Sequence, residues 1–288
     1  MTKLIIVFFL ILCSFSGISQ AIYTGKIQNS NIELQIQANE SMNIMAVYII
    51  STYNNPILLS GSLKNDSLIL FTRNTDFSID DTIFIFSDYK NNYDNISGNY
   101  MNAATKEAFP VNFRKIGDID SYPVKDKVFE ILQATSSRDH YFKIRFSHND
   151  SIIPAINIYD KKTNALIQTI EAEFLYREFY NVSVGDYNFD GIEDFSVFES
   201  FYAGANTSSI YYLRNKKKNQ YSESGFTGTS LEFNAVSKTI TEHNQCCAGR
   251  YVTITNYILE NGKMVLINKS CMEFDEELND FKEGPCND

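Results

Sequence analysis

The chain has 288 residues, with 25 Lys and Arg against 35 Asp and Glu and a net charge of −10. That acidity argues against nucleic acid and anionic membrane as partners, and it suits a cationic partner or a metal ion. It also serves solubility alone.

Residues 1–19 read as a secretory signal. Lys3 gives the positive start, 4–12 is an apolar run, and Gly17-Ile18-Ser19 is a small-x-small cleavage site. The run is too short to span a membrane comfortably. A lipid anchor on Cys13 is the rival, disfavoured by the bulky Leu12 before it. Removing the signal takes away Lys3 and leaves about 269 residues, in which 24 bases face 35 acids for a net charge of −11. The mature chain is expected to be secreted or periplasmic, with no transmembrane segment, and its length suits two domains.

From residue 20 to 116 the sequence predicts short β-runs at 22–27, 31–37, 43–50, 57–60, 67–71, 82–86, 95–100 and 110–114. They alternate or are β-branched and aromatic, with Asn, Asp, Gly and Ser between them. Eight such strands predict a small barrel or sandwich. Gly25, Gly61 and Gly98 lie in or beside strands, where a bulge or tight bend is expected. The polar stretch 117–127, with Pro123, is read as a linker. A second antiparallel β domain, 128–288, is expected from runs at 128–132, 141–146, 153–159, 165–170, 180–184, 195–201, 209–214, 221–226, 237–241, 251–259 and 263–268. Residues 160–164 and Glu260-Asn261-Gly262-Lys263 read as hairpin turns. Helix is scarce, with one turn expected within 169–180. The fold class is all-β.

The most specific motif is 184–197, Val-Gly-Asp-Tyr-Asn-Phe-Asp-Gly-Ile-Glu-Asp-Phe-Ser-Val. Asp186, Asn188, Asp190 and Asp194 occupy positions 1, 3, 5 and 9 of a calcium loop. Gly191 sits at the sharp turn, and Ile192 is placed to offer its carbonyl. An EF-hand puts a bidentate Glu at position 12; here that position is Val197, within a strand-like run. The loop is therefore read as a strand-to-strand calcium site that neutralises clustered carboxylates. An acidic turn without metal is the plainer alternative.

No catalytic motif accompanies it. His140, His148 and His243 form no His-x-x-x-His pair, and they are read as surface loop residues. There is no Gly-x-Ser-x-Gly elbow and no phosphate loop. The chain is expected not to be an enzyme, although a carboxylate pair of the glycosidase kind stays open. Residues 201–209 join two predicted strands, and Tyr202, Gly204, Asn206 and Ser208 are candidates for a loop that enters a partner's cleft. Lys216-Lys217-Lys218 reads as a solvated turn. Cys246, Cys247, Cys271 and Cys286 are expected to make two disulfides, because an even number in an exported chain favours oxidation. Adjacent Cys246 and Cys247 are expected not to bond each other, so each is expected to pair with Cys271 or Cys286. Zinc is the alternative, without CxxC spacing to support it.

The run Asp-Tyr-Asn-Phe-Asp-Gly-Ile-Glu-Asp-Phe, the Gly204-Ala205-Asn206 loop, the aromatic strand after it and the hairpin from Tyr257 through Asn261-Gly262-Lys263 resemble one family. It is the periplasmic immunity proteins of antibacterial type IV secretion effectors, related in fold to inhibitors of invertebrate-type lysozyme. The resemblance covers 128–268. It implies an all-β domain with one calcium that blocks a peptidoglycan hydrolase by inserting loops into its cleft. Asp186, Asn188, Asp190 and Asp194 match the metal loop; the four loop residues match by position only. Where the family tends to carry Trp in the next strand, this chain reads Ile210-Tyr211-Tyr212-Leu213. The Asn-Phe-Asp-Gly core also resembles the calcium loops of integrin-type propeller repeats, but it occurs once here. The rival functions are a calcium-dependent glycan-processing hydrolase and a structural or adhesive envelope protein.

Overall fold

The computed structural model describes residues 19–38, 43–119, 127–147 and 154–286. The expected signal (to residue 18), linker residues 120–126 and His148 lie outside the described residues.

The described chain is all-β. Eight strands, β1 (Ser19–Ile27), β2 (Ser30–Ala38), β3 (Ile44–Ile50), β4 (Ile57–Lys64), β5 (Ser67–Arg73), β6 (Ile79–Ser87), β7 (Asn95–Met101) and β8 (Ala108–Asp118), each pair antiparallel with the next. β1 also pairs with β8, from Ala21 opposite Asp118 to Gly25 opposite Phe113, and closes the barrel. Closure leaves no open edge. Alternate residues fill the interior, among them Tyr23, Leu34, Ile36, Tyr48, Phe84, Phe86 and Phe113. Gly98 has a steric reason: a Cβ there would lie 1.9 Å from the Ile85 carbonyl oxygen. β8 runs through Gly117 to Asp118, two residues into the stretch read as linker.

Three further antiparallel meanders follow. Sheet I contains β9 (Val128–Ser136), β10 (His140–Ser147), β11 (Ala155–Asp160) and β12 (Leu166–Glu171). Sheet II contains β13 (Val182–Gly185), β14 (Asp194–Phe201), β15 (Thr207–Asn215) and β16 (Gln220–Glu223). Sheet III contains β17 (Leu231–Asn234), β18 (Thr239–Cys246), β19 (Tyr251–Glu260), β20 (Lys263–Asp275) and β21 (Asp280–Gly284). The helical turn expected within 169–180 is a single 3-10 turn, Glu178–Tyr180. Both expected hairpins form. Asn261 and Gly262 adopt positive φ of 52° and 74° between Glu260 and Lys263. At 160–164, Asp160 Oδ1 accepts the Lys162 and Thr163 amides.

The barrel and sheet I share a core. Ile22, Val47 and Ile49 point out of the barrel and join Phe129, Ile131, Leu132, Phe142 and Ile156. Both faces of β3 are thus buried, which is why Ile-Met-Ala-Val-Tyr-Ile-Ile reads as a continuous apolar run. Each of these outward residues contributes about 1.5–3 kcal/mol by leaving water. A polar clasp fixes the register. Buried Gln35 donates from Nε2 to the Glu130 carbonyl at 2.9 Å and accepts the Leu132 amide on Oε1 at 3.1 Å. The side chain stands in for a strand neighbour. Beside it, Lys143 Nζ lies 2.7 Å from Glu33.

The cysteines pair differently from the expectation. Cys271 and Cys286 are bridged, with Cα atoms 5.2 Å apart, while Cys246 and Cys247 are free and exposed. The reason is lateral distance. β19 lies between β18 and β20, which sets those strands about 9–10 Å apart, beyond the roughly 7 Å that a disulfide spans. The bridge closes the β20–β21 hairpin.

Gln35→Leu removes both halves of the clasp and leaves the Leu132 amide and Glu130 carbonyl buried without those partners. It should destabilise the fold by about 1–3 kcal/mol in urea unfolding; no change in the midpoint would show that the clasp carries no stability.

Candidate metal loop and binding rim

Residues 186–193 join β13 to β14, and Gly185 pairs with Asp194 at the base. Phe189 and Gly191 take positive φ of 61° and 82°, which coil the segment. The side-chain oxygens turn back onto its own amides. Asp186 accepts from Asp190 N at 3.0 Å and Gly191 N at 2.8 Å, Asn188 Oδ1 from Asp190 N at 3.1 Å, and Asp190 Oδ1 from Ile192 N at 2.8 Å.

Asp194 is more deeply buried than the rest of this turn, of which only Asp190 and Gly191 are exposed. It is 1% exposed, and its two oxygens accept the amides of Tyr187 at 3.0 Å and Arg214 at 2.8 Å. Burial pushes its carboxyl up to about 6; the two amide bonds oppose that, and the charges of Asp190 and Asp186 reinforce it. Among the described residues, no three acidic, histidine or cysteine side chains converge into a metal cage. The loop's donors are mixed: the Asp186 and Asp190 carboxylates, the Asn188 carboxamide and the Ile192 carbonyl. An all-oxygen set of this kind fits a hard cation. Asp194 keeps lone pairs beyond the two its amides use.

The loop is braced from sheet I. Arg138 N donates to Glu193 at 2.6 Å, and Arg214 Nη1 donates to Asp139 at 2.8 Å. Glu193, at position 8, thus faces the β9–β10 turn. Buried Gln133 donates to the carbonyls of Ile131 and Glu178 and accepts the amides of Asn181 and Val182, which sets the start of β13.

β14 leads from the loop to an exposed tip. Residues 201–205 are exposed, with Phe201 at 57% and Tyr202 at 53%. Gly204 turns the tip with φ of 77°. Asn206 and Ser208, which follow the tip, are buried rather than exposed with it. Asn206 Nδ2 donates to the Gln245 carbonyl at 2.7 Å and its Oδ1 accepts the Gln245 amide at 2.9 Å, so it anchors the tip to β18. The reason is register: β15 begins at Thr207, so Ser208 is already a ladder residue opposite Ser200. Tyr202, Asn206 and Ser208 still line one groove of about 690 Å³, with Thr229, Asn244 and Cys246 across it. Glu199 and Glu223 also line that groove.

An aromatic platform beside the tip has no counterpart in the expected site. The Arg177 guanidinium stacks over Phe198 at 4.4 Å and Phe201 at 5.4 Å, and Leu175 next to it is 48% exposed. The aromatic-rich run Phe174-Leu175-Tyr176-Arg177-Glu178-Phe179-Tyr180 was the available signal.

His140 corrects the surface-histidine expectation. It opens β10 facing inward, is fully buried, and its Nδ1 is 2.8 Å from the Tyr221 hydroxyl. His243, on β18, is partly exposed and lies 3.5 Å from Glu232.

No protein-family model matches the chain, and no curated protein matches it. Solved structures similar to it include the following two. A Xanthomonas type IV secretion system related protein is 15% identical with a TM-score of 0.31, covering 56% of this chain and 86% of that one. The β-propeller domain of the Trilobed protease from Pyrococcus furiosus is 9% identical with a TM-score of 0.25, covering 94% and 84%. At these scores neither likeness fixes a family or an activity.

Burial, and then the Arg214 charge, lower the His140 pKa. The unfolded chain takes up this proton near pH 6.5 and the folded one only below that. The contribution is therefore complete above about pH 6.5 and is lost as pH falls through the folded value. Thermal melts at pH 7.5 and 5.5 should show a larger acid loss in the wild type than in His140→Gln; equal losses would remove His140 as the cause.

Proposed function

We propose that the chain is an exported, calcium-stabilised binding protein whose exposed 201–205 tip enters a cleft of a peptidoglycan hydrolase and blocks it. The observation that carries this reading is continuity. One strand, β14, runs from an all-oxygen loop at one end to an exposed aromatic tip at the other. Asp186, Asn188, Asp190 and the Ile192 carbonyl would hold the ion, with Asp194 at the base. The ion would offset the carboxylate repulsion and stiffen the turn. It acts on no substrate in this reading.

Inhibition needs a preorganised projection, not catalytic residues. The tip is preorganised by the hydrogen bonds of Asn206 to Gln245 of β18 and by the Tyr202 amide, which donates to the Asn206 carbonyl at 2.9 Å. Phe201 and Tyr202 supply the kind of aromatic anchors that dominate interfaces. The net charge of −10 suits a cationic, lysozyme-like target. The sequence resemblance to periplasmic immunity proteins supports the same choice.

A second reading rests on Glu199 and Glu223, two carboxylates on one groove. It makes the chain a glycan-processing hydrolase. It is separable: the protein alone would then cleave peptidoglycan, and Glu199→Gln would abolish the cleavage.

A panel of lysozyme-type and muramidase enzymes, assayed with micromolar protein, should contain at least one that loses activity. The double variant Phe201→Ala, Tyr202→Ala should raise its inhibition constant at least about tenfold. A broad panel untouched by the protein overturns the inhibitor reading. For the metal, EDTA should lower the melting temperature of the wild type and leave Asp190→Ala unmoved. Isothermal titration of chelator-stripped protein with calcium checks the same site, and no heat of binding there would sink it.

A further inference from the structure

Cys246 and Cys247 are left over by the pairing of Cys271 with Cys286, yet they are not isolated thiols. They end β18 at a tight turn into β19, where Cys246 pairs with Tyr251. Their sulfurs lie 2.9 Å apart. Non-bonded heavy atoms of this size rest roughly 3.5–4 Å apart. The turn holds Cys247, Ala248 and Gly249 in succession at φ of 57°, 58° and 84°. Two of these are L-residues in a region that costs each about 1–2 kcal/mol. The backbone is thus coiled so as to bring two adjacent side chains to the same side. Extended backbone, with alternate side chains on opposite faces, would keep them apart.

The surroundings place the pair between two cavities. One is the groove of about 690 Å³ beneath the 201–205 tip. The other, of about 390 Å³, is lined by Tyr251, Thr253, Met272 and the bridged Cys271. Both thiols are exposed, so an oxidant can reach them. The Cys271–Cys286 bridge suits a chain that folds in an oxidising compartment.

We propose that Cys246 and Cys247 are a redox pair that closes to a vicinal disulfide by exchange with a disulfide donor of the oxidising compartment. One thiol loses its proton, attacks a donor sulfur and releases the first donor thiol. The second thiol loses its proton and attacks the mixed disulfide, forming the Cys246–Cys247 bond and releasing the second donor thiol. Two electrons and two protons pass from the pair to the donor. In the open form the hydrogen bond shared with Cys247, more than anything else, raises the Cys246 thiol pKa. The closed ring fixes the end of β18 directly after Gln245, whose amide and carbonyl hold Asn206. It is a staple on the rim of the groove, separate from the metal loop and independent of what the groove binds.

The full chain is incubated with oxidised glutathione as donor, denatured, alkylated without reductant and digested with trypsin. Cleavage after Lys238 and Arg250 releases peptide 239–250 with both cysteines on it. The expected product is that peptide alone, unalkylated and about 2 Da lighter than the dithiol, taking up two alkyl groups only after reduction. Two alkyl groups before reduction, a glutathione adduct on each thiol, or a cross-link to peptide 270–282 or 283–288 each overturns the proposal. Cys247→Ser is the control: it keeps Cys246 but should yield a glutathione adduct in place of the ring. Cys246→Ser is the converse control, and loss of adduct formation in both variants would show that neither thiol attacks the donor, which also overturns the exchange.

Discussion

A buried carboxylate has to be answered by donors, and the answer given to Asp194 organises the second half of the chain. An unpaired charge in its place would cost several kcal/mol. Its two oxygens instead take the amide at the start of the acidic loop and the amide of Arg214 on β15. One side chain thereby fixes the loop, the first residue of β14 and the neighbouring strand against each other. Arg214 carries the constraint outward, since its guanidinium reaches Asp139 in the turn between β9 and β10. Sheets I and II are locked at the end where the acidic loop emerges, and Arg138 and Glu193 add a second tie there.

Sheet II is the structural divide. Its residues alternate between two cores. Phe195, Val197 and Tyr212 face sheet I, while Tyr187, Tyr211 and Phe226 face Phe233, Leu259 and Met264 of sheet III. The consecutive tyrosines Tyr211 and Tyr212 therefore serve opposite faces. Ring contacts make both layers specific: Phe195 stacks on Tyr212 at 4.9 Å, and Tyr187 meets Tyr211 and Phe233 edge-on at 4.9 and 4.8 Å. The abundant Tyr of this Trp-free chain is spent largely on such packing.

The barrel was legible because its strands carry period-two patterns and clear turns. All eight expected runs lie inside observed strands to within a residue or two. β17 and β21 were not legible. Leu-Glu-Phe-Asn is four residues long, and Asp-Phe-Lys-Glu-Gly carries charges that read as tail; both are sheet edges, where burial leaves little pattern. The disulfide pairing failed for a different reason. Sequence gives adjacency along the chain and says nothing of how many strands lie between two residues. The same holds for His140, whose burial depends on Tyr221, 81 residues away. Asn206 and Ser208 were read as display residues on local composition, but hydrogen bonds to β18 turn Asn206 inward. The barrel–sheet clasp at Gln35 was equally hidden, because a polar residue in an alternating strand reads as solvent-facing until its outer face is found covered.

Among the described residues, every ladder except that of β1 with β8 joins strands that follow one another along the chain. This has a temporal meaning. During synthesis each new strand finds its partner already present, so only barrel closure must wait for a distant segment, and the loop entropy to be overcome stays small elsewhere. The barrel can close once residue 118 is available. Its outward Ile22, Val47 and Ile49 then stand as an apolar wall with Gln35 among them, and sheet I condenses on it. The Gln35 clasp thus joins the last-closing ladder's barrel to the strands that follow it: the register of sheet I is set against a side chain that the barrel holds.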